Sequence, residues 1–174
     1  MGKVYYPRLV MPISTVLSGL ISFFIQYVFL ILFVLYYTLT GLGVHPNGWI
    51  LITPLLLLQL AMLSMGFGII ISSVTTKYRD LAKLVGFGVQ LWMYGTPVAY
   101  DMYSIGAFAP GGKWHAYYMC NPVTSLINLF RYGYLGFGHM EWKYYWISWL
   151  TTLVILFFGV ILFSHVEKTF MDTV

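Results

Sequence analysis

Long apolar stretches alternate with short polar turns along this chain. No Lys, Arg, Asp or Glu occurs from Leu9 to Thr76, and none occurs from Leu84 to Tyr100. A helix that crosses a bilayer needs about 20 predominantly apolar residues. The pattern therefore predicts an all-α, polytopic membrane protein with about four transmembrane helices and short helices at the outer surface. The predicted spans are 12–39, 50–74, 84–100 and 144–164.

The third predicted span is the least regular of the four. Pro97 lies in its last turn, and proline removes a backbone hydrogen-bond donor and disrupts a helix. This segment therefore either crosses the membrane fully or stops short and bends.

Small or polar residues recur four positions apart on two spans, a spacing that keeps them near one helix face. They are Ser14, Ser18, Ser22 and Gln26 in the first span, and Gly86, Gln90 and Tyr94 in the third. Gln59 lies midway along the second span. Such residues either pack against a neighbouring helix or line a polar conduit. The candidate conduit residues are Ser18, Ser22, Gln26, Gln59, Gln90 and Tyr94.

Two glycines, Gly66 and Gly68, lie near the end of the second span. Small residues allow helix backbones to approach each other closely in a membrane. The glycines are therefore predicted to mark a close helix contact rather than a nucleotide loop.

Composition and charge exclude a water-soluble domain. The chain is 60% hydrophobic and 8% charged, whereas soluble domains carry about 25% charged residues. Its net charge of +4 fits the preference for basic residues on the cytoplasmic side better than nucleic-acid binding. If both termini and the turn at 75–83 share one side, that side holds Lys3, Arg8, Lys77, Arg79, Lys83 and Lys168, against Lys113, Arg131 and Lys143. This asymmetry predicts cytoplasmic termini.

The sequence carries no recognisable catalytic, metal or nucleotide site. Its four histidines lie singly on different segments and are predicted to be interfacial, and Cys120 is the only cysteine. In the Gly-rich segment at 106–114, neither Lys113 nor Trp114 fits a phosphate loop. No Lys, Arg, Asp, Glu or His lies within the predicted spans, although proton-coupled carriers generally need such a group there. If transport occurs, its energy is expected to enter at the cytoplasmic surface.

The segment between the third and fourth spans is of mixed polarity. Asn121-Pro122 predicts a helix start, with proline in the first helical position. The apolar face of that helix comprises Val123, Leu126, Ile127, Phe130 and Tyr134, while Asn128 and Arg131 point the other way. This pattern predicts a short amphipathic helix lying at the membrane interface.

Several motifs together resemble the permease subunit of ABC-2 type exporters of polysaccharides and polyol phosphates. They are Lys3-Val4-Tyr5-Tyr6-Pro7-Arg8, Lys77-Tyr78-Arg79-Asp80, Gln90-Leu91-Trp92, Pro97-Val98-Ala99-Tyr100, Asn121-Pro122 with Phe130-Arg131, and Glu167-Lys168-Thr169-Phe170 with Asp172. Their order and spacing match over essentially the whole chain, so residues 1–174 are treated as one permease membrane domain.

The resemblance implies a multi-pass protein of the bacterial inner membrane that exports a lipid-linked glycan. It implies a homodimer paired with a separate ABC ATPase, which binds ATP and Mg²⁺, while this chain is non-catalytic and carries no cofactor. Membrane lipids are the other expected partners, and no nucleic-acid partner is expected. Coupling to the ATPase is expected at Lys3, Tyr5, Tyr6, Arg8, Lys77, Tyr78, Arg79 and Asp80. The outer gate is expected at Asn121, Phe130, Arg131 and Tyr134.

The resemblance also predicts that the chain corresponds to the last four of six spans, which indicates either a truncated product or a start assigned too late. Two alternatives remain beside glycan export. One is an ABC-2 permease for a drug or another small molecule, and the other is a non-transporting membrane scaffold. Lys77 and Arg79 either couple the permease to its ATPase or only set orientation and bind lipid headgroups.

Overall fold

The computed structural model describes residues 10–41, 43–77, 80–98, 100–138 and 140–171. All regular secondary structure in these residues is helical, which confirms the predicted all-α class. The α-helices are α1 (Val10–Leu39), α2 (Thr53–Lys77), α3 (Leu81–Gly95), α4 (His115–Met119), α5 (Pro122–Leu135) and α6 (Trp142–Met171). Two 3₁₀ helices cover Gly48–Ile52 and Met102–Ser104.

Three helical segments in the described residues are long and apolar enough to cross a membrane. They are Ile13–Leu39, Gly48–Thr75 and Trp142–Ser164. The shortest of them has 23 residues, and at about 1.5 Å per residue it exceeds the roughly 30 Å of a bilayer's hydrocarbon core. These segments correspond to three of the four predicted spans.

The third predicted span, 84–100, is shorter than expected. α3 has 15 residues and ends at Gly95, so it is about 22 Å long, and the predicted end at Tyr100 is wrong. The backbone of Thr96 is extended, because a residue before proline is disfavoured in the helical conformation. Of the two alternatives for this segment, the structure has the helix that stops short and bends.

α2 and α6 run parallel and pack tightly. Gln59 contacts Ser148, and about two turns further along both helices Gly66 lies against Leu156. A Cβ atom added at Gly66 would lie 3.1 Å from the backbone of Leu156. The predicted close helix contact is therefore confirmed for Gly66, whereas a Cβ at Gly68 would meet open space.

α1 lies along α2 in the opposite direction. Half-buried residues of α1, including Val16, Leu20 and Phe23, line a groove shared with α2. The remainder of α1 is largely exposed in this single chain. The groove is about 750 Å³, and its α2 wall carries small or hydroxyl side chains, among them Ala61, Ser64 and Gly68.

These directions define two ends of the molecule. At the first, which we call the α5 end, α2 and α6 begin and α4 and α5 pack beside them. At the second, which we call the turn end, α2 finishes at Lys77 and α3 begins at Leu81. The predicted gate residues therefore lie at or near the α5 end, opposite the basic turn.

Candidate functional site

The α4–α5 unit is joined to α3 at Asn121, one of the predicted gate residues. Its Oδ1 accepts a hydrogen bond from the Val123 N–H at 3.1 Å, which caps α5. Its Nδ2 donates to Thr96 Oγ1 at 3.0 Å, and the Thr96 hydroxyl donates to the Trp92 carbonyl at 2.9 Å. The predicted helix start is confirmed. The same side chain also fixes the place where α3 ends.

Arg131 forms a second connection between these segments. Nη2 donates to the Val98 carbonyl at 2.7 Å, and Nη1 donates to the Tyr100 carbonyl at 3.0 Å. The planar guanidinium suits two adjacent acceptors. Asn121 and Arg131 together hold the chain after α3 alongside α5.

Tyr134 joins α5 to both α1 and α2. Its hydroxyl lies 2.7 Å from Thr53 Oγ1 and also hydrogen-bonds the Tyr27 hydroxyl. Its ring packs on Phe130, with 4.5 Å between centroids. Burial is the main cause that raises the pKa of Tyr134 to about 12. Asn121, Arg131 and Tyr134 thus make contacts that position α5, and Phe130 packs against Tyr134 within α5.

The loop between α1 and the first 3₁₀ helix docks on the last turn of α5. The Asn47 N–H donates to the Gly133 carbonyl at 2.9 Å, and Asn47 Nδ2 donates to the Tyr132 carbonyl at 3.3 Å. Gly136 ends α5 in the left-handed conformation, at φ 73°. A Cβ there would lie 2.7 Å from the His45 carbonyl oxygen. The Gly- and Pro-containing sequence of this loop is typical of a turn but does not indicate the contact with α5.

His115 and Glu141 form an ion pair that sequence reasoning missed. His115 Nδ1 lies 2.8 Å from the Phe108 carbonyl, and Nε2 lies 2.9 Å from Glu141 Oε1. Both ring nitrogens therefore lie within hydrogen-bonding distance of an oxygen atom. The prediction that His115 is an isolated interfacial residue is wrong, because it is buried and ties α4 to the start of α6.

The polar face of α5 is buried in the protein and is not exposed as the pattern of an interfacial helix predicts. Residues Thr124, Ser125 and Asn128 of its polar face are buried. Ser125 Oγ donates to the carbonyls of Met119 and Tyr144 at 3.4 and 3.3 Å. These acceptors make burial of a polar face possible. The apolar face contributes instead to a cavity shared with α1 and α2.

Gln59 belongs to a helix contact rather than to an open conduit. Its side chain is fully buried, and its Nε2 donates to Ser148 Oγ at 2.8 Å. Ser148 Oγ in turn donates to the Pro122 carbonyl at 2.8 Å. This chain of bonds connects α2, α6 and the start of α5.

The other conduit candidates lie on exposed helix faces. Ser18, Ser22 and Gln26 are exposed on α1, and Gln90 and Tyr94 are exposed on α3. Ser22 Oγ donates to its own helix, at the Ser18 carbonyl 3.3 Å away. The single chain therefore does not enclose these residues in one path.

The coupling candidates are only partly described. Residues 3, 5, 6, 8, 78 and 79 lie outside the described residues. Lys77 is the last residue of α2, and Asp80 immediately precedes α3. Their backbone positions place the basic turn at the end of the molecule opposite the gate candidates.

We expect graded effects from two substitutions at Asn121. Asn121→Asp keeps the acceptor that caps α5 but loses the donor to Thr96, whereas Asn121→Ala loses both. Loss of a helix cap costs about 0.5–2 kcal/mol, so the free energy of unfolding should fall more for Ala than for Asp. Titration with sodium dodecyl sulfate, followed by circular dichroism, measures it. Equal losses for both variants would assign the whole effect to the Thr96 bond and contradict the capping role.

Comparison with known proteins agrees with the sequence resemblance. Residues 4–135 match the family described as ABC-2 type transporter. Over 171 residues, 98% of this chain, it is 25% identical to an "O-antigen export system permease protein RfbA" of Klebsiella pneumoniae, of which 62% is covered. A protein of the same name from Myxococcus xanthus is 25% identical over 129 residues, which are 74% of this chain and 46% of that protein. The chain thus spans 62% of the length of the Klebsiella relative. Because the family match covers well over half of its residues, the chain belongs to the ABC-2 type transporter family.

Proposed function

We propose that this chain is the membrane-spanning subunit of an ATP-driven exporter that moves a lipid-linked polysaccharide or polyol phosphate polymer across the bacterial inner membrane. The observation that carries the proposal is the similarity to O-antigen export permeases, which extends over 98% of the chain. Three helical segments that can cross a membrane support it.

The energy for export comes from a separate ABC ATPase. Such a partner would hold ATP and Mg²⁺, and this chain would receive the work through a surface contact. The turn end is the proposed contact, since basic and aromatic residues cluster there at Lys77 to Asp80. Arg and Tyr are both enriched among the residues that contribute most to binding at protein interfaces.

The proposed orientation places the turn end in the cytoplasm and the α5 end outside. The uneven distribution of basic residues supports it, because cytoplasmic loops carry an excess of Lys and Arg. The helix directions support the premise of that count, because α1 begins at the turn end and α2 and α6 both finish there. The α4–α5 unit becomes the outer gate in this arrangement.

A second copy of the chain completes the proposed conduit. Ser18, Ser22 and Gln26 on α1 and Gln90 on α3 are exposed in the single chain. Polar side chains facing hydrocarbon are costly. We therefore propose that these stripes face the partner copy or the passage rather than lipid.

Arg79→Lys tests the coupling contact. The substitution keeps the positive charge that sets orientation but removes the planar guanidinium group. Glycan export and substrate-stimulated ATP hydrolysis should therefore fall, while membrane insertion is unchanged. Asp80→Asn, which removes the neighbouring carboxylate, should act in the same way. Both variants are assayed in the complete permease with its ATPase.

Lys83→Arg is the control for this experiment, because it conserves charge at a position just inside α3. If both Arg79→Lys and Asp80→Asn export glycan and hydrolyse ATP at wild-type rates, the turn does not couple the permease to its ATPase. If Arg79 only sets orientation, Arg79→Lys should match the wild type in insertion, export and hydrolysis, because the positive charge is kept.

A further inference from the structure

The hydroxyl of Tyr134 connects α5 to two other helices. The hydroxyl of Tyr27, on α1, is hydrogen-bonded to it, and Thr53 Oγ1, at the start of α2, lies 2.7 Å away. Thr53 Oγ1 also donates to the Ile50 carbonyl at 2.6 Å. Three hydroxyl groups and one carbonyl oxygen therefore form a continuous series of hydrogen bonds, which we call the hydroxyl chain.

The direction of the hydroxyl chain follows from the protons that its members can donate. A backbone carbonyl only accepts hydrogen bonds, and a hydroxyl group has a single proton to donate. Because the Thr53 proton goes to the Ile50 carbonyl, Thr53 Oγ1 accepts its other bond from Tyr134. The Tyr134 proton is used in that bond, so the Tyr134 oxygen accepts from Tyr27. Tyr27 is therefore the donor at the head of the hydroxyl chain.

Tyr27 lies where a cavity separates α1 from α5. Phe23 and Leu30 of α1 and Phe130 of α5 are among the residues that line this cavity, which is about 530 Å³ in volume and mainly apolar. Tyr27 follows Phe23 by four residues and precedes Leu30 by three, which places it on the same helix face. Its ring packs edge-on against the ring of Tyr134, with 6.0 Å between centroids. Tyr27 therefore supplies a hydrogen bond between two helices that are otherwise separated here by apolar space.

α1 is long enough to connect the two ends of the molecule. It has 30 residues, which correspond to about 45 Å, and it runs beside α2 from the turn end towards the α5 end. Tyr27 lies more than halfway along α1, at the level where α5 packs. A movement of α1 that begins at the turn end would therefore act on α5 through the hydroxyl chain.

We propose that Tyr27 is a positioning residue for the outer gate, and that it makes α5 follow α1 by donating to Tyr134. This inference rests on the proposed function, in which the α4–α5 unit is the gate. With the Tyr27 bond in place, α5 is held to both α1 and α2. Without it, α5 keeps its bond to Thr53 but no longer follows α1. The small and polar stripe of α1, which begins at Ser14, does not include Tyr27.

A double-mutant cycle tests the contact itself and requires no transport. Tyr27→Phe, Tyr134→Phe and the double variant of the full chain are unfolded with detergent and followed by circular dichroism. We expect Tyr27→Phe to raise the unfolding equilibrium constant by about fivefold, and to have almost no effect when position 134 is already Phe. Tyr36→Phe is the matched control, because it removes a hydroxyl group from an exposed side chain of the same helix. It should leave the unfolding equilibrium unchanged.

Transport by the complete permease with its ATPase tests the role of Tyr27 in the gate. We expect Tyr27→Phe to lower the amount of glycan exported per ATP hydrolysed by about fivefold, because α5 is released from α1 while the turn end is unchanged. A residue that only stabilised the fold would lower the amount of folded protein and leave this ratio as in the wild type. Tyr36→Phe should have the wild-type ratio.

Two results would overturn the proposal. One is that the effects of Tyr27→Phe and Tyr134→Phe on unfolding add, which would show that the two hydroxyl groups do not interact. The other is a wild-type export ratio in Tyr27→Phe, which decides even if Tyr134→Phe fails to fold. Failure of the proposed function would be seen separately, because the wild-type complex would then show no ATP-driven glycan export.

Discussion

Gly66→Val is expected to force α2 and α6 apart and to destabilise the folded protein more than any other single change considered for the spans. A Cβ at Gly66 would lie 3.0 Å from Ile155 Cγ2 and 3.1 Å from the Leu156 backbone. Across the contact, a Cβ at Gly159 would lie 3.0 Å from the Gly66 carbonyl oxygen. Backbone atoms cannot move aside as a side chain can, so the whole helix must shift.

The matched control is Gly68→Val, two residues further along α2. A Cβ at Gly68 would have no neighbour within 4 Å, although the change in helix propensity is the same. Overpacking typically costs about 1–3 kcal/mol, so Gly66→Val should lower the free energy of unfolding by at least about that amount relative to Gly68→Val. Detergent-induced unfolding followed by circular dichroism measures the difference. Equal stabilities would contradict the close approach of α2 and α6.

Gly136→Ala is expected to separate the loop at 43–48 from the end of α5. Gly136 has φ +73°, and a left-handed conformation costs an L-residue with a Cβ about 1–2 kcal/mol. The added Cβ would also lie 2.7 Å from the His45 carbonyl oxygen. Gly136→Ala is therefore destabilised by both backbone strain and a backbone clash. Export by the complete transporter should fall along with stability.

Gly41→Ala separates these two costs. Gly41 has a similar φ of +69°, but a Cβ there would meet open space. Gly41→Ala should therefore lose only the stability that the left-handed conformation costs a residue with a Cβ. The unfolding free energies of both variants measure the strain. Loop release is measured separately, by the labelling rate of a cysteine placed at Asn47 in a Cys120→Ser background. If position 47 is labelled no faster in Gly136→Ala than in Gly41→Ala, the loop is not held by this contact.

Much of the helical framework could be predicted because membrane helices leave a strong one-dimensional signal. An uncharged stretch from Leu9 to Thr76 has few folded alternatives to helices in a bilayer, since every backbone polar group must be paired within the protein. Asn121-Pro122 predicted the start of α5 for a similarly local reason, because the cap bonds a residue two positions away.

Contacts between distant segments could not be predicted in this way. Gln59 is polar and central in its helix, which fits either a conduit or a buried contact, and only the presence of Ser148 beside it decides. His115 likewise finds Glu141 through the packing of α4 against α6. Periodicity gives the face on which a residue lies but not the neighbour that the face meets. The polar face of α5 was misplaced for that reason.

Transport in a purified system tests the central claim most directly. The complete permease containing this chain is reconstituted with its ABC ATPase in proteoliposomes that carry a radiolabelled lipid-linked glycan, and a glycosidase added on the acceptor side reports the glycan that has crossed. The account predicts that the glycan becomes accessible only when ATP, the ATPase and this chain are all present. Accessibility that is the same without ATP, or the same when this chain is omitted, would contradict the claim that it is the membrane subunit of an ATP-driven glycan exporter.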